Sequence, residues 1–157
     1  MSTNRAAGSF ENEEFLLFRL ANAARRVSTL CARVYENEFS LSVPEWRLLA
    51  QIGRFGMISA TEVRERTSME RVAISRAASR CLANGLIVEK TSKTDKRSKV
   101  LSFTARGRAL YRSVVPRAEA LASEIEAGLS GAEVRALKKL LAKLDAHARG
   151  MTERVGA

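Results

Sequence analysis

Apolar positions recur at steps of three and four along most of this chain, and two short runs between those stretches read as strands. The first periodic stretch covers residues 11–37. Leu16, Leu20, Ala23, Val27, Leu30 and Val34 fall on one face, and Phe15, Phe18 and Cys31 widen it. Ser42-Val43-Pro44-Glu45 opens a second helix. Serine caps it, proline sits in the first turn where its missing N–H costs nothing, and Glu45 completes a capping box. Trp46, Leu48, Leu49 and Ile52 supply its core side, and Gly53 and Gly56 mark its end. Met57-Ile58 reads as a short strand. Ser59-Ala60-Thr61-Glu62 is another capping box and starts a short helix. Thr67-Ser68-Met69-Glu70 has the same form and predicts the start of a longer helix, which stops at Asn84-Gly85 with glycine at the left-handed C-cap.

Residues 86–90 and 100–104 are β-type runs, joined by the polar, cationic segment 91–99, which reads as a hairpin loop. Thr104 caps a further helix to about residue 127, with Leu110, Val114, Ala118, Leu121 and Ile125 as its stripe and Gly128 after it. Ser130-Gly131-Ala132-Glu133 opens the last helix, which carries Val134, Leu137, Leu140, Leu141 and Leu144 and fades near Gly150. Helix, turn, longer helix and basic hairpin is the order of a winged helix-turn-helix. The predicted fold class is therefore mainly α with a small β-hairpin wing. Residues 1–10 read as a flexible tail, 41–104 as the winged helix-turn-helix, and 11–40 with 105–148 as helical dimerisation segments. The flanking helices carry more apolar surface than a solvent helix needs. A homodimer that buries these stripes also suits a pseudo-palindromic duplex, because two-fold protein symmetry matches two half-sites.

Charge sharpens this picture. Between Arg64 and Arg112 stand 13 Lys/Arg against 4 Asp/Glu, an excess of nine in a chain of net charge +10. Cations gathered beside a helix-turn-helix predict a double-stranded DNA partner. On the longer helix Ile74, Ala77, Ala78 and Cys81 form the inward side, while Ser68, Arg71, Ser75 and Arg76 lie on or beside the opposite side. Arginine forks onto guanine, and serine takes base edges or phosphates. Arg97 in the hairpin loop suits a narrow minor groove, with Asp95 holding it in shape. Lys93, Lys96, Lys99 and Arg80 are phosphate candidates.

Other chemistries find little support. No nucleophile elbow, P-loop or metal-ligand spacing appears, so neither an enzyme nor a cofactor is expected. His147 is the single histidine. Cys31 and Cys81 fall on separate helical patterns, which is no disulfide framework and fits a reducing cytoplasm. No apolar run approaches the roughly 18 residues of a membrane span, and the first residues lack a signal-peptide core.

The chain resembles the MarR family of bacterial transcription regulators over roughly residues 12–148. The hairpin carries Asp95-Lys96-Arg97, then Leu101-Ser102-Phe103-Thr104 and Gly107, similar to the family's D-x-R…L-T-x-x-G signature. Ser75-Arg76 and Gly85-Leu86-Ile87 resemble its recognition-helix pattern, and Leu48-Leu49 sits in the preceding core helix. Cys81 and Phe103 depart from it, each keeping an apolar side chain. The resemblance implies a homodimer joined by the terminal helices, and a repressor relieved by a ligand lodged where those helices meet the DNA-reading lobe. For this chain that points to Arg19, Asn22 and Arg26 on the first helix and Trp46 and Arg47 on the second as ligand-binding candidates, with an aromatic acid or aromatic acyl-thioester as effector. Two alternatives stand beside it: a redox-responsive regulator acting through Cys31, and an architectural DNA-binding protein without effector.

Overall fold

A computed structural model describes residues 15–67, 69–91 and 99–155. Its elements are α1 (Leu16–Phe39), α2 (Val43–Phe55), β1 (Met57–Ser59), α3 (Ala60–Thr67), α4 (Arg71–Ala83), β2 (Ile87–Thr91), β3 (Lys99–Phe103), α5 (Ala105–Glu126) and α6 (Gly131–Val155). The sequence predicts every one of them. α6 runs past Gly150 to Val155, because a single glycine inside a helix weakens it without ending it. Within α5 the helix also continues through Pro116, which cannot donate the usual backbone bond.

Helix ends follow local side-chain chemistry. In α2 the N–H of Ser42 donates to Glu45 Oε2 at 2.8 Å, and the Glu45 N–H donates back to Ser42 Oγ at 3.4 Å. Ser59 with Glu62, and Ser130 with Glu133, repeat this box at α3 and α6. α1 ends at Ser40, whose backbone is left-handed at φ 54°; its N–H donates to the Glu36 carbonyl, and the Leu41 N–H to that of Tyr35.

The box expected at Thr67-Ser68-Met69-Glu70 does not form. α4 begins at Arg71 with Glu70 as N-cap and no side-chain cap bond. Thr67 is still the last residue of α3, so its hydroxyl donates back to the Val63 carbonyl at 2.6 Å and accepts from the Met69 N–H at 3.4 Å, within the turn and short of the first turn of α4. The turn is thus held by this local hydrogen bond together with the burial of Met69.

Two compact units meet within α5, one up to Val114 and one from Val115 onwards. In the first, three antiparallel strands lie in the order β1-β3-β2. Ile58 stands opposite Leu101 and Ile87 opposite Phe103. α2, α3 and α4 close over this sheet on a core of Leu48, Leu49, Ile52, Ile58, Val63, Ile74, Cys81, Ile87 and Leu101. Tyr35 of α1 packs against Trp46 of α2. The second unit comprises the end of α5 and α6. Its α6 leaves Leu137, Leu140, Leu141 and Met151 exposed. α1 likewise exposes Leu16, Leu17, Phe18, Val27 and Leu30.

Candidate nucleic-acid interface

The recognition side is built on α4. Ile74, Ala77 and Cys81 recur at steps of three and four and point into the core, which leaves Arg71, Ser75, Arg76, Ser79 and Arg80 on the solvent side. A groove of about 500 Å³ runs between this helix, α3 and the two hairpin strands. Arg64, Arg71, Ser75 and Ser79 contribute to its walls, and Lys99 closes the strand side. Lys99 Nζ also meets Glu89 Oε1 at 2.6 Å, a diagonal pair across the β2–β3 ladder. Both partners are exposed, so the pair contributes little to stability and leaves two ammonium donors free to turn outward.

The hairpin is set against α4 by the residues of the L-T-x-x-G pattern. The Thr104 hydroxyl lies 2.7 Å from the Gly85 carbonyl and 3.1 Å from that of Leu86, and it accepts from the Gly107 N–H at 2.9 Å. The Thr104 N–H donates to the Leu86 carbonyl at 3.1 Å. Gly107 lies directly on that carbonyl, where a Cβ would overlap its oxygen. Gly85 has φ 64°, the left-handed turn that reverses the chain from α4 into β2. The end of the recognition helix, the root of β2 and the start of α5 are thereby tied at one point.

Arg80, expected among the phosphate contacts, has a second partner. Its Nε lies 3.2 Å from Oε1 of Glu45. The Glu45 side chain is fully buried, while Arg80 remains 61% exposed. Glu45 Oε2 is taken by the backbone and hydroxyl of Ser42 at 2.8 and 2.5 Å. One carboxylate thus caps α2 and holds the recognition helix beside it. Sequence reading missed this second role, although Glu45 falls on the same stripe as Leu48, Leu49 and Ile52, and an acid on a core face signals a buried partner. Next to Arg80, burial and the Glu45 charge push the Cys81 thiol up to about 12, so it stays protonated at neutral pH.

The residues chosen for a ligand fall in different places. Trp46 is half-buried and lies between rings of the chain itself, 5.6 Å from Tyr35 and 5.8 Å from Tyr111, with Phe103 of β3 beyond at 5.3 Å from Tyr111. Arg26 lies nine residues before Tyr35 on α1, about 13 Å along the axis. It lines an open hollow of about 380 Å³ with Arg25, Thr29, Leu30 and Arg33. Asn22 and Cys31 are half-buried on α1, and Arg19 and Arg47 are exposed. Trp46 is not among the residues that line the hollow of Arg26. Ser68, Lys93, Asp95, Lys96 and Arg97 lie outside the described residues. Among the described residues no group of three His, Cys, Asp or Glu is placed to hold a metal ion, and no helix is long and apolar enough to cross a membrane.

An α4 with one open face, braced by α2 and α3 and flanked by a tied-down hairpin, defines a winged helix-turn-helix protein. The profile of the MarR family matches residues 39–98, so the winged-helix segment of this chain is similar to that family. The fold is similar to that of BpsR from Bordetella bronchiseptica, in a structure described as a mechanism for regulation of its DNA binding by 6-hydroxynicotinic acid. Identity is 24% with a TM-score of 0.80, covering 88% of this chain and 98% of that one. A probable transcriptional regulator from Pseudomonas aeruginosa is 25% identical, with a TM-score of 0.75 over 84% of this chain and 98% of that one. A cysteine-to-serine mutant of MarR from E. coli, complexed with operator DNA, is 22% identical, with a TM-score of 0.76 over 87% of this chain and 99% of that one. No curated protein matches the chain.

Proposed function

We propose that this protein is a homodimeric, sequence-specific repressor that places α4 in the major groove and its hairpin loop along the minor groove of a pseudo-palindromic operator. The open face of α4, with Arg71, Ser75 and Arg76 beside a groove walled by Arg64 and Lys99, is the observation that carries this reading. Arg71 and Ser75 read base edges, while Lys93, Lys96, Lys99 and Arg80 meet phosphates and Arg97 enters the minor groove. The likeness to MarR complexed with operator DNA supports it. Selection from a random duplex library tests it. Wild type converges on one inverted repeat, Arg71→Ala loses preference at one base pair of each half-site, and Lys93→Ala weakens all sequences alike while lowering the log–log salt slope by about 0.9. A library that converges on no sequence removes sequence-specific control.

The effector in this proposal is an aromatic acid or its thioester. BpsR, whose DNA binding is described as regulated by 6-hydroxynicotinic acid, supports that chemistry. In this chain the cations at the α1 hollow, Arg25, Arg26 and Arg33, suit a carboxylate or phosphate. Trp46, tilted against Tyr35 and stacked on Tyr111, offers a ring only after those rings move. An effector acts through its differential affinity for the arrangement that cannot bind DNA. Aromatic acids then release operator from wild type and from Trp46→Ala at similar concentrations, and from Arg26→Ala only at higher ones. Equal release from wild type and Arg26→Ala puts the ligand elsewhere.

A further inference from the structure

Phe55, the last residue of α2, is 40% exposed beside the DNA-reading helices, yet its ring is not bare. The Arg66 guanidinium, from the last turn of α3, lies 4.3 Å from the ring centroid, and that of Arg54 lies 5.2 Å from it. Two cations from two different helices are thus gathered on one aromatic platform. Like charges in water separate unless something holds them, and the ring quadrupole supplies that attraction. Stacking engages the flat face of a guanidinium and leaves its in-plane N–H donors pointing outward, the geometry that forks onto two oxygens of one phosphate. α3 also carries two acids, Glu62 and Glu65; Glu62 is held by the N–H and hydroxyl of Ser59 at 2.8 and 2.7 Å and also feels the charge of Arg66. In a helix-turn-helix the helix before the recognition helix crosses the sugar–phosphate backbone. Arg66 stands on that helix, five residues ahead of Arg71, where α4 begins.

We infer that Arg54, Phe55 and Arg66 form a phosphodiester clamp that grips the duplex backbone beside the major-groove contacts of α4. It rests on the DNA-binding reading above and adds a site outside the wing and the recognition helix. Phe55 is its positioning residue, and the two arginines are its phosphate ligands.

Salt titrations of binding to a random-sequence duplex test it, with Arg135→Ala on α6 as the control for simple loss of one charge. Removing both arginines together lowers the slope by about 1.8, at about 0.9 per phosphate contact. Phe55→Leu changes no charge, yet it weakens binding and lowers the slope by part of that amount, because the arginines lose their platform. Arg54→Lys with Arg66→Lys keeps both charges but only partly restores binding, since an ammonium cannot fork. The arginine variants alter exposed side chains, so they carry the test even if Phe55→Leu unfolds. Wild-type slopes for both Phe55→Leu and the double alanine variant overturn the clamp while leaving DNA binding intact. Phe55→Leu at the wild-type slope beside a lowered slope in the double variant overturns the platform. Wild-type protein that binds no duplex at any salt concentration overturns the DNA-binding reading, and the clamp with it.

Discussion

At the scale of single residues, Glu45 decides how α2 and α4 meet. Its carboxylate is fully buried, and its two oxygens act separately. One closes the cap of α2, and the other faces Arg80. A buried carboxylate without a cation nearby is strongly unfavourable, whereas an arginine lost from the surface costs little. Arg80→Ala therefore destabilises the folded chain by roughly 1–3 kcal/mol, far more than an ordinary surface substitution, because Glu45 stays behind unpaired. Urea unfolding measures this, and Arg80→Lys recovers part of it. An Arg80→Ala midpoint equal to wild type shows that the pair does not hold α4. The neighbouring Cys81, with its thiol held protonated, behaves as an apolar filler, so the redox alternative attaches to Cys31 alone.

At the scale of elements, Ser-x-x-Glu boxes start three helices. In α3 the backbone N–H and hydroxyl of Ser59 hold the Glu62 carboxyl below the usual carboxylate range; in α6 the hydroxyl and N–H of Ser130 do the same for Glu133. Because these pKa values are lowered in the folded chain, the unfolded chain takes up protons first on acidification. The stability the two boxes add is complete at neutral pH and is lost as pH falls through the lowered values. Glu62→Gln, which has no charge to lose, therefore starts less stable than wild type and the gap narrows in acid. Thermal unfolding from neutral pH down to about 3 reads this directly. Parallel curves for the two proteins remove Glu62 as a source of acid sensitivity.

At the scale of the whole molecule, the exposed stripes of α1 and α6 call for a partner. Phe18, Val27 and Leu30 on α1 and Leu137, Leu140 and Leu141 on α6 keep the helical spacing of a buried face while standing in solvent. A second copy of the chain supplies a cover at no cost in new sequence, and two-fold pairing presents two α4 helices to one duplex. Leu140 is 62% exposed in the single chain, so Leu140→Glu leaves the helix intact and acts on assembly alone. Sedimentation shows a folded monomer for this variant and a dimer for wild type, with operator affinity lost as well. A variant that stays dimeric takes α6 out of the seam.

What the sequence determined by itself was local. Apolar periodicity, serine and glutamate three residues apart, glycine at Asn84-Gly85 and alternation in the two strands each act within one or two turns, so every element was legible, as was the open face of α4. The T-x-x-G pattern was visible too, but its meaning was not: Thr104 and Gly107 matter because they close on the Leu86 carbonyl, far back along the chain. The box expected at Thr67 gave way to a different turn, in which the Thr67 hydroxyl bonds the Val63 carbonyl and the Met69 N–H and Met69 is drawn into the core. Trp46 and Arg26 resembled two walls of one slot on paper, yet Trp46 found Tyr35 and Tyr111, and Arg26 lies with its neighbours on α1. Only the tertiary structure joined Glu45 to Arg80 and gathered Arg54 and Arg66 on Phe55. Such pairings depend on which helices cross and where, and a linear pattern holds the faces of a helix but not the identity of what those faces meet.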